Sequence, residues 1–291
     1  MGKESRSFGT HDGSFHADEV TACALLLLFD LIDKEKIHRT RDPKVLDRCE
    51  FVCDVGGIYD PSEKLFDHHQ VDYQGSLSSA GMILRYLLDE KILSQAMYDH
   101  FNANLMMGVD AHDNGRGFQE MGYCSFSHVV SNFTPPEYDA PATKYNQAFF
   151  EALGFVLGHL GRLKERFEYM VSCREDVAQV MEKKEDYLLF EKAMPWLEIF
   201  FSLGGEQHPA RFVVMPSGEH WKLRGIPPKL SERMSVRVPL PKEWAGLSNS
   251  ELEQVSGISG AIFCHKGRFI SVWETKEAAL EALKKVEEVY R

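Results

Sequence analysis

The chain has 291 residues, of which 44% are hydrophobic and 26% charged, and its formal net charge is −11. This composition is ordinary for a folded chain of about two domains and excludes a disordered or collagenous one. The acidic balance argues against a general nucleic-acid coat, and the longest apolar run, residues 22–29, is far short of the roughly 20 residues that cross a bilayer. The N-terminal Met-Gly-Lys-Glu-Ser-Arg lacks the basic-then-apolar layout of a secretory signal, so an intracellular, cytoplasmic protein is expected.

Residues 7–10 read as a short strand. Residues 19–31 read as a helix, because Val20, Cys23, Ala24, Leu27, Leu28 and Leu31 recur at steps of three and four. A second strand is expected over 37–40. A short buried strand follows over 51–53, stopping at Asp54, with Gly56-Gly57 marking the turn. Residues 64–66 lead into Asp67-His68-His69, and 78–88 read as a helix with Ser78 at its N-cap. Alternation of this kind predicts an α/β domain, a mostly parallel sheet covered by helices. Ligands of such sheets gather at the carboxyl ends of the strands, and the polar motifs stand at those ends.

A helical stretch over 92–107 ends in Gly108-Val109-Asp110-Ala111-His112-Asp113-Asn114-Gly115. From Leu153 to Val180 apolar residues recur every three or four positions, which predicts one long helix or two abutting ones packed on a core. Pro195 and Gly204-Gly205 place a domain boundary there, giving residues 1–195 and a smaller α+β domain of 196–291. The latter is expected to contain strands over 211–215, 261–265 and 268–272 and a closing helix over 276–290. The six cysteines form no Cys-x-x-Cys pair, so free thiols are expected rather than a structural zinc or a disulfide framework. Residues 205–291 hold 13 Lys and Arg against 11 Glu, and the first 204 hold 20 basic against 33 acidic residues. An acidic N-terminal part suits cations; the basic segment 211–242 suits an anionic substrate.

The chemistry concentrates in four clusters. The first is His11-Asp12-Gly13-Ser14-Phe15-His16-Ala17-Asp18-Glu19, where the Gly-Ser turn lets the ligands fold inward; its bland reading has Asp18 capping the helix and the histidines merely polar. Asp54 alone would be an ordinary turn former. Asp67-His68-His69 has little packing value and offers imidazoles beside a carboxylate that can fix a tautomer. The fourth cluster surrounds Asp110. Imidazole and carboxylate ligands without thiolate favour manganese, iron, cobalt, zinc or magnesium. Carboxylates spread over four segments suggest two metals sharing one, an arrangement suited to hydroxide attack on phosphorus.

In this order the clusters resemble the four motifs of the DHH phosphoesterase superfamily. The closer similarity is to the melanocyte-proliferating-gene family, often labelled metal-dependent protein hydrolase and resembling 3′–5′ exonucleases acting on RNA. The similarity rests on Gly9-Thr10-His11, Phe15-His16-Ala17-Asp18-Glu19, Arg39-Thr40-Arg41-Asp42-Pro43 and Asp54-Val55-Gly56-Gly57. It continues through Asp67-His68-His69-Gln70, Leu77-Ser78-Ser79-Ala80-Gly81, Pro239-Leu240-Pro241-Lys242-Glu243-Trp244 and Val255-Ser256-Gly257-Ile258, nearly the whole chain. The resemblance implies two divalent ions, manganese first, with cobalt, zinc or magnesium as substitutes. His11, His16 and Asp54 would hold one; Asp18, Asp54, His68 and Asp110 would hold the other, with Asp54 bridging. It further implies that Asp67 orients His68, that His69 faces the scissile phosphate, and that the C-terminal domain binds substrate, with Arg237 and His265 as contacts. The chain departs from the wider superfamily at His16, where Asp is usual.

The expected function is therefore a metal-dependent phosphodiesterase with a nucleic-acid partner, RNA first and single-stranded DNA second. Alternatives are a hydrolase of pyrophosphate or a short oligonucleotide, and a catalytically silent metal-stabilised binding module. A peptidase is least favoured, since there is no His-Glu-x-x-His.

Overall fold

In the computed structural model, which describes residues 2–290, the first unit opens with β1 (Glu4–Thr10), α1 (Ala17–Leu28), β2 (Ile37–Arg39), α2 (Pro43–Leu46) and β3 (Cys49–Cys53). Then come β4 (Tyr59–Asp60), β5 (Leu65–Phe66) and α3 (Ser79–Asp89). A rod of α4 (Gln95–Phe101), one wide π-turn (Asn102–Met106) and α5 (Met107–Asp113) follows, and α6 (Phe126–Ser131) and α7 (Ala142–Ser172) complete the unit. The sheet runs β2-β1-β3-β5-β4, with every pairing parallel except β4 with β5. One face carries Phe8, Phe51, Cys53 and Phe66 into the main core, where they meet Val20 and Leu25 of α1 and Ile83 and Leu87 of α3. The other face is closed by a small cluster of Leu46, Cys49 and Val52. Gly9 is required there: a Cβ would stand 2.9 Å from Leu46 Cδ2.

The chain divides within α7, with one unit running to Phe167 and the next starting at Glu168. The boundary read from Pro195 lies downstream of this division because α8 (Arg174–Glu182) and β6 (Tyr187–Leu189) belong to the second core. Val177, Met181 and Leu188 are buried together with Val213 and Met215. The second unit continues with α9 (Leu197–Ser202), β7 (Phe212–Ser217), β8 (His220–Gly225), α10 (Asn249–Ser256), β9 (Ala261–Cys264), β10 (Ile270–Trp273) and α11 (Lys276–Val289). Its sheet, β6-β7-β8-β10-β9, is antiparallel apart from β6 with β7. This is an α+β unit, with Trp273 and Leu223 buried against Ala279 and Leu283 of α11. Among the described residues no helix is long and apolar enough to cross a membrane.

Candidate metal centre

The strand order sets the carboxyl ends of β1, β3 and β5 side by side. His11 leaves the first, Asp54 the second, and Asp67-His68-His69 the third. Helix α1 starts at the same edge, with His16 at its N-cap and Asp18 and Glu19 in its first turn. Asp54 has φ 59°, a left-handed conformation that Asp tolerates better than most residues. Its Oδ2 lies 3.2 Å from His11 Nε2 and its Oδ1 3.4 Å from His68 Nε2, so the two oxygens face two imidazoles. Burial opposes its ionisation, but His11 and His68 hold the carboxyl well below the usual range.

His11 Nδ1 sits 3.0 Å from the Asp12 carbonyl oxygen. That contact orients the ring so that Nε2 faces Asp54 and, at 3.1 Å, Glu19 Oε1. Burial disfavours the His11 imidazolium, yet Asp54 and Glu19 outweigh it and push its pKa up to about 10. His68 Nε2 lies 2.9 Å from Asp113 Oδ2; Asp113, then Asp54, raise its pKa to about 10. Asp18 is fully buried and accepts a 2.8 Å hydrogen bond from Ser79 Oγ. Burial, then the charges of Glu19, Asp54 and Asp113, push its carboxyl well above the usual range.

Three sets of potential ligand atoms lie within 4.8 Å of one another: His11, His16, Glu19 and Asp54; Asp54, His68 and His69; and His16, Asp18 and Asp113. Within these sets Asp18 Oδ1 is buried without a hydrogen-bond partner, and Asp54 Oδ1 and His68 Nε2 are buried in contact with acids and imidazoles of the same cluster. Buried polar atoms are rarely left unpartnered. Buried carboxylate oxygens and an imidazole nitrogen that converge are a donor set suited to divalent cations.

Four expectations meet a different geometry. Asp110 belongs to none of these sets. It is buried on α5 against the start of α3, where its Oδ1 accepts from Ser78 N–H (2.9 Å) and Ser78 Oγ (2.7 Å). Gly81 N–H is a further donor to this carboxyl, although burial dominates and raises its pKa. The helix that was expected to end near residue 107 instead runs on to Asp113. It therefore carries two acids three residues apart on neighbouring positions of one face, and Asp113 is the one beside His68. Asp67 serves His69 rather than His68: its Oδ1 contacts His69 Nδ1 at 2.8 Å and accepts from His69 N–H at 3.0 Å, while its Oδ2 accepts from Gly57 N–H.

In the second unit, Arg237 donates to the carbonyl oxygens of Gly205 (2.6 Å), His208 (2.6 Å), Ala210 (2.7 Å) and Pro227 (3.3 Å). Its guanidinium is consumed by the main chain, and a substrate role does not fit it. His265 stands in the turn between β9 and β10, its Nδ1 accepting from Gly267 N–H. Glu19 and Asp113 are the neighbours of the centre that sequence reasoning did not choose. Glu19 accepts from His16 N–H at 2.9 and 3.0 Å through its two oxygens, the spacing of a capping box and a signal readable in advance. Asp113 offered only its three-residue step from Asp110.

Fold and centre together define an α/β protein whose strand ends converge a histidine- and carboxylate-rich set fit for divalent metal. Residues 7–286 match MYG1_exonuc, described as an uncharacterised protein family (UPF0160), and the chain belongs to that family. It is 56% identical over 278 residues to the MYG1 protein of Chlamydia trachomatis, covering 96% of this chain and 95% of the relative. It is 33% identical over 315 residues to the MYG1 exonuclease of Homo sapiens, covering 94% of this chain and 83% of the relative. Among solved structures, RecJ of Thermus thermophilus in complex with Mn2+ aligns with 98% of this chain and 52% of its own, at 15% identity and a TM-score of 0.28. The chain thus spans about half the length of that RecJ.

Proposed function

We propose that this chain is a metal-dependent phosphodiesterase that works as an exonuclease on nucleic acid, RNA first, in the 3′-to-5′ direction. The observation that carries the reading is the convergence of buried Asp18, Asp54 and His68 at the carboxyl edge of the parallel sheet, with Asp18 Oδ1 unpartnered. Relatives named MYG1 exonuclease support the nuclease class. One ion is assigned to His11, His16 and Asp54, with Glu19 beside His11. The other is assigned to Asp18, Asp54, His68 and, in place of Asp110, Asp113. Imidazole nitrogen in both sets makes manganese a better occupant than magnesium. Divalent ions bound there supply charge neutralisation and Lewis acidity toward a phosphoryl oxygen.

The chain's own residues do the rest. Asp54 spans the two sets, and Ser79 fixes the Asp18 carboxylate. Asp67 holds His69 by Nδ1, which leaves Nε2 of the exposed ring to accept a proton and, as the imidazolium, to donate to the phosphate. The second unit, with its basic segment 211–242 and His265, is assigned to substrate binding. An intracellular location is part of the same proposal, supported by six free cysteines.

The test is incubation with manganese and four substrates: end-labelled single-stranded RNA, single-stranded DNA, pyrophosphate and a casein peptide. A 3′ label on RNA released at once as a mononucleotide, with a 5′ label shortening stepwise, is the expected result. Cleavage of peptide or pyrophosphate alone would overturn the proposal.

A further inference from the structure

The motif Arg39-Thr40-Arg41 is not absorbed by the metal centre, and its two arginines have different surroundings. Strand β2 lies beside β1 in the sheet, and Thr40 N–H donates to the Thr10 carbonyl at 2.7 Å. Chain positions 39–41 therefore reach the same carboxyl edge that holds His11 and Asp54. Arg39 is half-buried and engaged. It donates to the Gly13 carbonyl oxygen at 2.7 Å and to Asn146 Oδ1 at 2.9 Å, and its guanidinium lies 4.6 Å from the centroid of the Phe149 ring. Its work is to hold the His11–His16 loop.

Arg41 is different. Its side chain is 65% exposed, and its ion contact is a 3.5 Å approach to Asp12 Oδ1, itself 51% exposed. A pair of that kind contributes about 0–1 kcal/mol, so it yields readily to a better partner. Arg41 also lines a cavity of about 350 Å³ together with His11, His16, Asp54, Asp67 and His69. It is the single Lys or Arg among the residues lining that cavity. The other charged groups there are the carboxylates of Asp12, Asp54 and Asp67 and the His11 ring, whose charge is taken up by Asp54 and Glu19; carboxylate repels an anion wherever metal does not neutralise it.

From this geometry we infer that Arg41 forms the anion subsite of the cavity, receiving two non-bridging oxygens of a substrate phosphoryl group on its planar guanidinium. The inference rests on the phosphodiesterase reading for the identity of the anion. A guanidinium presents paired N–H donors that match phosphate oxygens, whereas a lysine offers one point charge. Placed at the end of β2, the group sits next to the His11 strand in the row of strand ends. It would hold the phosphate at one side of the centre while the ligand cluster faces it from β1, β3 and β5.

The experiment uses the full chain loaded with manganese. Inorganic phosphate binding is measured by calorimetry, and KM and kcat are measured on labelled single-stranded RNA, for wild type, Arg41→Gln and Arg41→Lys. Manganese content and Tm are recorded for each. Arg41→Gln is expected to weaken phosphate binding and raise KM by about 10- to 100-fold, the worth of one charge-assisted contact. Metal content and Tm should stay at wild-type values, kcat should change less than KM, and Arg41→Lys should fall between. If wild type cuts RNA while Arg41→Gln keeps its phosphate affinity and KM, the subsite is overturned and the nuclease reading stands. If wild type binds phosphate through Arg41 but cuts no phosphodiester, the nuclease reading falls and the subsite stands. A wild type that neither binds phosphate nor cuts RNA overturns both.

Discussion

Alanine at Asp110 and at Asp113 should produce opposite defects. Asp110 is 6% exposed and receives Ser78 N–H, Ser78 Oγ and Gly81 N–H at the start of α3. Removing it leaves buried donors without a partner and takes a negative charge from the positive end of a helix dipole. Loss of a cap costs about 0.5–2 kcal/mol, and an unmade hydrogen bond to a charged group about 1.5–3 kcal/mol. A total near 3 kcal/mol at roughly 2–4 °C per kcal/mol predicts a Tm lower by about 6–12 °C. Asp113 has a side chain 16% exposed that faces His68 and adds to the repulsion on Asp18. Without metal, relief of that repulsion opposes the loss of the His68 ion pair, so its removal should lower Tm by less than that of Asp110. In exchange Asp113→Ala should lose metal by more than the roughly 10–100-fold that removal of an outer partner costs. The assay is Tm in excess chelator for both variants, then metal content by mass spectrometry after gel filtration and activity at 20 °C below each Tm. Asp110→Ala that loses metal at an unchanged Tm, with Asp113→Ala keeping its full complement, would refute the reasoning.

Asp54→Asn should fold, because Asn also tolerates a positive φ, and it should lose both ions together; retention of one full equivalent in the metal analysis would remove its shared role. Gly81→Ala should destabilise the fold by about 1–3 kcal/mol, since a Cβ there would stand 2.4 Å from Asp110 Oδ2; a variant as stable as wild type in thermal melts would show that the Asp110 carboxylate is free to move. Arg237→Ala should destabilise the second unit by about 2–3 kcal/mol by stranding main-chain carbonyls, with KM on RNA unchanged; a raised KM at unaltered Tm would return Arg237 to the substrate.

The strand-end positions were legible because they depend on local pattern. Short apolar runs closing on Asp54 and on Asp67-His68-His69 read directly as strands ending in polar residues, and Val20 to Leu28 read as a helix by spacing. What was not legible depended on tertiary register. Whether Asp110 or Asp113 meets His68 is decided by how far the helix runs past residue 107 and how the π-turn at Asn102–Met106 offsets it. Neither is written in the composition of the segment. The partner of Asp67 was missed for a similar reason: its carboxylate turns back on His69 two residues later and on Gly57 across the sheet edge. Arg237 looked available because it closes a basic segment, but the carbonyls that take it belong to residues 205–210 and 227, remote in sequence. Strand β8 and helix α10 were also missed. The first is interrupted by charged residues and the second has a weak apolar stripe, and both are fixed by the core around Trp273 rather than by their own propensity.

The two arginines of the β2 edge and the two acids of α5 share one physical logic. In each pair, residues of the same type lie two or three positions apart, and one is consumed by the scaffold while the other is left facing the cavity or the ligand cluster. Arg39 is tied to Gly13 and Asn146, and Asp110 to Ser78 and Gly81. These bonds hold the His11–His16 loop and the start of α3, from which Ser79 reaches Asp18. The scaffold member thus fixes the elements on which the centre is mounted. Such support is needed because the centre is locally unfavourable. Asp18 is buried against like charge with its Oδ1 unpartnered, and Asp54 holds a left-handed backbone. Strain of this kind persists only where the surroundings over-determine it. Here the surroundings are the large core of the first unit, which packs Phe8, Phe51 and Phe66 directly beneath the strand ends.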